Sequence, residues 1–504
     1  MRRTCDRIWV IDCSPEGHQP DVPTRIFQAV QQPVCIVLAA RSKKKPADKP
    51  AAVKYMALPA GKREEKFAAL AKLKLEAKVW QDCSTDGRAP FLPAATGDWA
   101  NYAKLDELFV YNGSGVQPMR AWVIAPDPES LKKRWQVLIN SRPSEKMALF
   151  HPTLRGGEPS DRHINSVVRY GLAGNKPRTV TLAAETQPCA APVQYGHRSF
   201  DRQWIIPDPR VITQPNNTLW KSCSDRQVYL TALMSHSPTS GPAITFTCLP
   251  PDKHHYKGSF SGRVFPLWSD AEATQTNVAS GVLELLTAHY KRPVTGEDFF
   301  AYLAGVAANP AYTARFQADL TQPGLRIPLA ADPKSFERGI KLGGQVIWLH
   351  TFGERYVDPR AKRPKGPPRV PKGGPRIPKE GEISGEPDSM PDEILYDESQ
   401  RRLLIGSGFI INVPQAVWEY EVSGKRVLTQ WFSYRKKNRE RPIIGDRRPP
   451  SKLGDIQLDH WPADYTTELL NVLHVLTMLV ELEQHQATLL EAIYEGRTLD
   501  FQGS

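Results

Sequence analysis

Cysteine is scarce in this sequence of 504 residues, and its few copies are poorly placed for cross-linking. The seven cysteines are an odd number, lie far apart and form no Cys-x-x-Cys pair: Cys5, Cys13, Cys35, Cys83, Cys189, Cys223 and Cys248. A disulfide framework needs paired cysteines at regular spacings, and many zinc sites need Cys-x-x-Cys pairs. We therefore expect neither, and we predict a reducing, cytoplasmic location.

Long apolar segments are also missing. The apolar run that begins at Ile8 stops at Asp12, and no signal-peptide cleavage site follows it. The most apolar stretch near the C-terminus, residues 469–482, is interrupted by His474 and Glu481. It is shorter than the roughly 20 residues that a membrane-spanning helix needs. The sequence predicts no membrane segment.

The common catalytic motifs are absent as well. No Gly-x-x-x-x-Gly-Lys-Ser/Thr loop occurs, so no ATP site is predicted, and no His-Glu-x-x-His occurs. His254 and His255 lie near Cys248 and Asp252, which suggests a metal site at first sight. Adjacent side chains in an extended chain point in opposite directions, so we do not predict metal binding there.

What the sequence does have is a positive surplus and much proline. Lys and Arg number 66 against 54 Asp and Glu, a net charge of +12, and there are 45 prolines. Phosphate neutralisation releases counterions, so a polyanion is the first partner to consider for a basic protein. A basic surface without a ligand is the alternative. The proline content predicts long irregular connections and at least one unfolded stretch.

The patterns along the chain predict an α+β protein with mixed sheets. Residues 8–11 and 34–40 have the near-continuous apolar pattern of strands in a parallel or mixed sheet, and they look like the tail of an α/β domain over residues 1–60. Good helix formers dominate residues 62–80. The remaining predicted parts are a helical connector (61–95), a large mixed region (96–356), a disordered basic insertion (357–399) and a final part that ends in a long helix (400–504).

Several segments, taken in order, resemble a known family. They are LDELFVYNGSGVQPMRAWVI (105–124), QYGHRSFDRQWIIPDPR (194–210), ITFTCLPPDKHHYKGSFSGRVFPLW (244–268), YLAGVAANPAYTARFQADLTQPGLRIPL (302–329) and VWEYEVSGKRVLTQWFSYRKKN (417–438). Together with the C-terminal helix they resemble the specificity, or target recognition, region of type ISP enzymes over roughly residues 100–495. These are bacterial single-polypeptide restriction-modification proteins of phage defence. The resemblance implies double-stranded DNA as the partner.

The N-terminal stretch resembles the late strands of an adenine-specific DNA methyltransferase. In that family the upstream half carries the methyl-donor loop and an Asn-Pro-Pro-Tyr motif, and neither is in this sequence. The resemblance implies S-adenosylmethionine for the complete enzyme but no cofactor bound by this chain alone. It also implies that Phe27 stacks on a flipped adenine. The alternative is that Phe27 packs in the core of the sheet.

The segment GHRSFDRQW (196–204) resembles the family pattern Tyr-Arg-Pro-Phe-Asp-x-Arg, with His197 and Ser199 as departures. The resemblance implies that Arg198, Asp201 and Arg202 form a braced guanidinium site for guanine or phosphate. A buried Asp201–Arg pair that fixes a loop is the alternative. Phosphate contacts are predicted for a second set of residues, for which an exposed loop without a ligand is the alternative: Lys253, His254, His255, Lys257 and Arg263.

The predicted function is therefore sequence-specific DNA binding without methyl transfer by this chain alone. One alternative is a split adenine methyltransferase that is active only with an upstream methyltransferase or nuclease-ATPase polypeptide. Another is a structural relic without a partner. A fragment, a split gene product and a decayed gene are all compatible with the sequence.

Overall fold

The computed structural model forms two compact units, Met1–Asn101 and Tyr102–Ser504. The residues described are 1–14, 26–27, 30, 33–42, 49–59, 61–84, 91–93, 97–155, 158–159, 163–233, 236–321, 324–439 and 448–500. The division at residue 101 lies close to the predicted start of the recognition region at 96. The predicted connector over 61–95 falls within the first unit.

The first unit is a four-stranded mixed sheet with one helix. Its elements are β1 (Arg7–Asp12), β2 (Cys35–Ala40), β3 (Ala52–Ala57), α1 (Arg63–Lys72) and β4 (Gln81–Asp82). The strand order is β2-β1-β3-β4, with β1 antiparallel to β2 and parallel to β3. Both strands expected in the first forty residues are present. Because β4 pairs with β3, residues 81–82 complete this sheet and do not form a connector.

Helix α1 is shorter than the predicted helix over 62–80. The chain becomes extended at Leu73, and the indole of Trp80 donates to the carbonyl oxygen of Lys74 at 2.9 Å. Trp80 thereby reaches the same apolar cluster as Leu70 and Leu73 without a continuous helix. Phe67, on α1 itself, is 45% exposed.

The second unit combines small antiparallel sheets with helices. Its strands are β5 (Ala103–Lys104), β6 (Gly113–Ser114), β7 (Ile124–Ala125), β8 (Leu154–Arg155), β9 (Glu158–Pro159), β10 (Val193–Arg198), β11 (Asp201–Ile205), β12 (Tyr229–Leu233), β13 (Ile244–Thr247), β14 (Gly262–Pro266), β15 (Arg326–Ile327), β16 (Ile394–Asp397), β17 (Arg402–Ile405), β18 (Gly408–Ile410), β19 (Glu421–Val422) and β20 (Lys425–Arg426). The larger sheets have the orders β13-β12-β14-β6, β10-β11-β7 and β16-β17-β18.

The helices of the second unit are α2 (Pro128–Asn140), α3 (Pro143–Phe150), α4 (Asn217–Lys221), α5 (Ser280–Tyr290), α6 (Gly296–Ala307), α7 (Pro310–Arg315), α8 (Pro333–His350), α9 (Gln415–Glu419), α10 (Val427–Ser433) and α11 (Ala463–Glu495). Three of them begin alike, with Asp127, Asn309 or Asp332 as the N-cap and a proline directly after it. The cap side chain accepts a backbone N–H of the first turn, and proline loses no hydrogen bond there. The mixed α+β fold is as predicted.

Helices α6 and α8 approach unusually closely because glycines face each other. A Cβ atom on Gly343 would lie 1.6 Å from the carbonyl oxygen of Ala301, and one on Gly305 would lie 2.4 Å from that of Gly339. Helix α11 contacts both helices, and Gln486 donates to the carbonyl oxygens of Ala304 and Gly305. These three helices form the helical core of the second unit.

The prediction of a disordered insertion over 357–399 is wrong. The segment contains two short 3-10 turns and strand β16, and it buries Ile383 and Met390. Composition predicted disorder because the segment cannot fold by itself. It is ordered because it packs against distant parts of the chain, including Ile411 and His474.

Candidate nucleic-acid interface

The predicted Arg-Asp-Arg cluster lies on the β10–β11 hairpin. The hairpin turns at Ser199 and Phe200, and Phe200 has a φ of 63°, a left-handed conformation that non-glycine residues adopt rarely. The ring of Phe200 is buried and meets the ring of His350 edge-on at 4.8 Å. The tip of the hairpin is therefore held inside the second unit and does not project into solvent.

The side chain of Arg198 contacts two distant segments of the chain. Its Nη1 lies 2.8 Å from Oδ1 of Asp252, and its Nε donates to the Tyr434 hydroxyl at 3.1 Å. Burial acts to lower the pKa of Arg198, but Asp252 and Tyr434 outweigh burial and the net shift is upward. Asp252 also accepts the hydroxyl of Tyr195 at 2.7 Å and the backbone N–H of His254 at 2.7 Å. The three side chains Arg198, Asp252 and Tyr195 thus fix the backbone where residues 252–263 begin.

Asp201 forms the buried pair that was the alternative interpretation. Its Oδ1 accepts Nη2 of Arg435 at 2.8 Å, and both side chains are at most 2% exposed. Its other oxygen accepts the amide of Gln203 at 2.7 Å. Burial raises the pKa of Asp201 although Arg435 opposes that shift. This geometry favours a structural role for Asp201.

Arg202 is occupied by carboxylates of the protein. Its Nε and Nη2 donate to the two oxygens of Glu468 at 2.8 and 2.7 Å, and its Nη1 lies 3.4 Å from Glu354. The guanidinium also stacks 4.1 Å above the ring of Phe352. Glu468 takes the edge of the guanidinium formed by Nε and Nη2, and Glu354 contacts the remaining nitrogen, so a guanine would compete with both carboxylates. The geometry favours a structural role here too.

Residues 252–263, which we call the β13–β14 loop, carry the other predicted contacts. Its ends meet where Gly262 N–H donates to the carbonyl oxygen of Lys253 at 2.8 Å. Lys253 and His254 are half-buried, and Lys253 Nζ donates to Gln117. Nδ1 of His254 has no hydrogen-bond partner among the described residues, and burial lowers the pKa of His254. Arg263 is exposed on β14. The structure brings these three side chains to one loop.

Two predicted contacts of this loop point inward. His255 is 2% exposed, its Nδ1 lies 3.0 Å from Oγ1 of Thr231, and burial lowers its pKa to about 3. Lys257 is 8% exposed, and its Nζ donates to Oγ of Ser423 at 3.2 Å. Burial, followed by the charge of Lys425, lowers the pKa of Lys257. His255 and Lys257 therefore shape the loop from within.

The structure adds basic residues that the sequence did not single out. Gln430 on α10 donates to the carbonyl oxygen of Lys257 at 3.2 Å, so the β13–β14 loop packs beside the β19–β20 hairpin. That hairpin turns at Ser423 and Gly424, both with positive φ, and exposes Lys425 and Arg426. These residues are about 170 positions from the loop, and nothing in the sequence marked the two segments as neighbours. We call the exposed and half-buried set the loop surface: Lys253, His254, Arg263, Lys425 and Arg426.

Phe27 belongs to the first unit and is not a core residue. Its side chain is 54% exposed, whereas that of the adjacent Ile26 is 2% exposed and belongs to the apolar cluster around Trp80. The alternative of core packing is therefore wrong. Residues 15–25 and 28–29 lie outside the described part of the chain. Stacking of Phe27 on a base stays a prediction.

Two further properties concern the described part of the chain as a whole. Within it, no three His, Cys, Asp or Glu side chains are grouped so that they could hold a metal ion. No helix in that part is both long and apolar enough to cross a membrane.

Comparison with known proteins identifies the family. The family model described as the Type ISP C-terminal specificity domain matches residues 107–472, which include the hairpin, the β13–β14 loop and the start of α11. The chain belongs to this family. No curated protein matches this Type ISP specificity chain. The resemblance that the ordered segments predicted is confirmed, although the match begins after the first unit.

Three solved structures are similar to this Type ISP specificity chain. They are a DrdV–DNA complex (TM-score 0.58, 16% identity), a nuclease-deletion mutant of the Type ISP enzyme LlaGI with a DNA substrate mimic (0.59, 15%) and the ATP-dependent Type ISP enzyme LlaBIII bound to DNA (0.61, 14%). The likeness covers 98%, 99% and 99% of this chain but only 48%, 37% and 31% of the respective neighbours. At these identities the likeness shows a shared fold, and the chain spans less than half the length of each neighbour.

Proposed function

We propose that the chain binds double-stranded DNA and reads a short target sequence as the specificity part of a restriction-modification enzyme. Family membership supports the role, and the three similar structures are complexes with DNA or a DNA mimic. The observation that carries the proposal is the loop surface. Its basic side chains are exposed or half-buried. The Arg198–Asp252 pair fixes the backbone at the start of the β13–β14 loop.

These contacts divide the predicted residues into those that can contact DNA and those that position other residues. Lys253, His254 and Arg263 can donate hydrogen bonds to base edges or phosphates, and Lys425 and Arg426 extend the same basic surface. Because the loop is fixed before DNA arrives, little conformational freedom is lost on binding. Arg198, Asp201, Arg202, His255 and Lys257 act on DNA only through the positions of their neighbours.

The test is selection of bound duplexes from a randomised pool, followed by titration of the enriched sequence and of a random one at two salt concentrations. We expect enrichment of one sequence, and weaker binding at higher salt. The variant Lys253→Gln/Arg263→Gln loses preference for that sequence, by about 5- to 150-fold for each lost base contact. Lys133→Gln/Lys334→Gln, at exposed sites on α2 and α8, is the matched control. Absence of duplex binding at low salt would contradict the proposal.

We propose that this chain does not transfer a methyl group alone. The family's methyl-donor loop and Asn-Pro-Pro-Tyr motif are absent from the sequence. Asp12, the carboxylate at the end of β1, is engaged within the chain by Ser14 N–H and by the Tyr55 hydroxyl. The described residues therefore do not fit S-adenosylmethionine.

A split adenine methyltransferase is the second candidate, and two exposed apolar features of the first unit favour it. Phe27 is 54% exposed, and the edge strand β2 exposes 42% of Leu38. An apolar edge strand is a ready surface for pairing with another strand. We expect methyl transfer to duplex DNA only when a polypeptide carrying the donor loop and Asn-Pro-Pro-Tyr is added. Phe27→Ala then lowers the rate and Phe27→Trp retains it, whereas equal rates for both variants would contradict stacking.

A further inference from the structure

The segment predicted to be disordered contains a long stretch of positive charge without an acidic residue. Residues 362–379, KRPKGPPRVPKGGPRIPK, hold seven Lys or Arg and no Asp or Glu. Six of the cations are exposed, at alternating spacings of three and four residues: Lys362, Lys365, Arg369, Lys372, Arg376 and Lys379. We call this segment the basic ribbon.

Backbone hydrogen bonds fix the ribbon at several points. The indole of Trp348 donates to the carbonyl oxygen of Pro364 at 2.9 Å. The N–H of Val370 donates to Nδ1 of His474 on α11 at 3.1 Å. Arg376 and Ile411 exchange two backbone hydrogen bonds, of 3.2 and 2.9 Å. The ribbon is therefore tied to α8, α11 and the end of β18 along most of its length.

Close contact with the backbone of another turn also holds the ribbon. Gly366 N–H donates to the carbonyl oxygen of Gly353 at 3.2 Å. A Cβ atom on Gly353 would lie 1.8 Å from the carbonyl oxygen of Gly366, so the backbones of the two segments are in direct contact. Gly353 has a φ of 79° and Gly366 a φ of 106°, conformations that favour glycine.

Six of the seven cations of the ribbon have no acidic partner among the described residues. Among the described residues only Arg363 of this segment forms an ion pair, with Asp358 at 3.4 Å. Acidic residues follow at once in the sequence, at Glu380 and Glu382, yet neither pairs with a ribbon cation in the described structure. Like charges that are exposed and close together in the chain repel one another, and binding of an external anion relieves that repulsion.

We propose that the basic ribbon is a preformed track for the phosphate backbone of duplex DNA, separate in the sequence from the loop surface. Its proline and glycine backbone is already ordered, so binding costs little conformational entropy. Four of its six exposed cations are lysines, which contact phosphates as point charges, so the ribbon adds affinity for any sequence. This inference rests on the proposed DNA-binding function and names a second contact for it.

The ribbon is tested by the salt dependence of DNA binding to the full chain. Lys365→Gln/Lys372→Gln/Lys379→Gln removes three exposed charges, and Lys133→Gln/Lys221→Gln/Lys334→Gln removes three exposed lysines elsewhere in the second unit. The probes are a duplex of random sequence and the enriched duplex. For the ribbon variant we expect the slope of log affinity against log salt to fall in magnitude by up to about 2.7, at about 0.9 for each lost phosphate contact. For the control variant we expect a much smaller fall.

The remaining outcomes are distinct. The proposed role of the ribbon would be overturned if the salt slopes of DNA binding were equal for the native chain and both variants. It would also be overturned if the ribbon variant lost binding to anionic phosphatidylserine vesicles while its salt slope for DNA stayed unchanged. If a duplex sequence is enriched but the salt slope of the ribbon variant does not fall, the proposal for the ribbon is rejected and the proposal of sequence-specific binding is kept. If no sequence is enriched but the salt slope of the ribbon variant falls, the proposed sequence specificity is rejected and the proposal for the ribbon is kept.

Discussion

The β10–β11 hairpin and the basic ribbon are both arginine- or lysine-bearing segments, and the structure treats them in opposite ways. Arg198 and Arg202 of the hairpin each hold a carboxylate from a distant segment, Asp252 and Glu468 respectively. The six exposed cations of the ribbon face solvent without such partners. The hairpin looks like a nucleic-acid motif in the sequence, yet the ribbon has the free charge.

The difference shows that the number of positive side chains does not identify a polyanion site. What decides is whether the protein itself supplies the counter-charge. A buried cation with a carboxylate on its donors holds the fold together, and its removal is expensive. An exposed cation without one contributes little to stability and is available to a ligand. The predictions below test that distinction.

The largest effect is expected at the buried pair of the hairpin. Asp201→Ala leaves the guanidinium of Arg435 buried without its carboxylate, which costs about 3–5 kcal/mol of unfolding free energy in the second unit. Denaturant unfolding monitored by tryptophan fluorescence measures it. Glu386→Ala, at an exposed position in the acidic segment, is the control. A cost below about 1 kcal/mol for Asp201→Ala would remove the basis for calling the pair structural.

The second effect is expected at Arg202. Arg202→Lys keeps the charge but loses the two parallel hydrogen bonds to Glu468, so we expect a loss of about 1.5–3 kcal/mol. Unfolding under the same conditions measures it. If DNA affinity fell sharply while stability did not change, Arg202 would be a ligand contact. The distinction between paired structural cations and free ligand-binding cations would then not hold at this residue.

The third effect is a pH dependence of stability. His350 is 3% exposed, and burial lowers its pKa from 6.5 to about 3. The unfolded chain therefore binds a proton that the folded chain does not, between pH 6.5 and about 3. Stability falls as the pH drops through this window, by about 1.4 kcal/mol per pH unit for this residue.

The variant His350→Gln isolates that contribution. It reduces the slope of unfolding free energy against pH by about 1.4 kcal/mol per unit between pH 6 and 4. His485→Gln, at an exposed position of α11, is the matched control and leaves the slope unchanged. Equal slopes in all three proteins would mean that the imidazole of His350 is accessible to protons in the folded state.

The smallest effect is expected in the ribbon. Lys365→Gln/Lys372→Gln/Lys379→Gln changes the unfolding free energy by no more than about 0.5 kcal/mol per residue, because the side chains are exposed. Hydrogen exchange should show protected amides at Val370 and Arg376, since both donate hydrogen bonds. Free exchange at both positions would mean that the ribbon is not ordered in solution.

Local patterns predicted much of the fold. The long C-terminal helix α11 and a helix that begins near residue 62, α1, were both predicted from local patterns. The apolar runs at residues 8–11 and 34–40 correctly indicated strands. The order of motifs from residue 105 onward indicated the family. These features depend on residues within one or two turns of each other.

The partners of the candidate site could not be predicted in this way. Arg202 meets Glu468 across 266 positions, and Arg435 reaches Asp201 across 234. The ribbon was predicted to be disordered because its anchors, Ile411 and His474, lie far along the chain. A single sequence shows which residues are charged but not which distant residue neutralises them.

Helix α11 has a consequence for how the protein is made. Its 33 residues extend about 50 Å and contact α6, α7, α8 and α9, while Glu468 holds Arg202 and His474 holds the ribbon. All of these partners leave the ribosome before α11 does. Until translation has passed residue 495, Arg202 therefore lacks Glu468, and the sides of α6 and α8 that α11 contacts stay uncovered. We expect a chain released before that point to expose apolar surface of α6 and α8 and to aggregate more readily than the full chain.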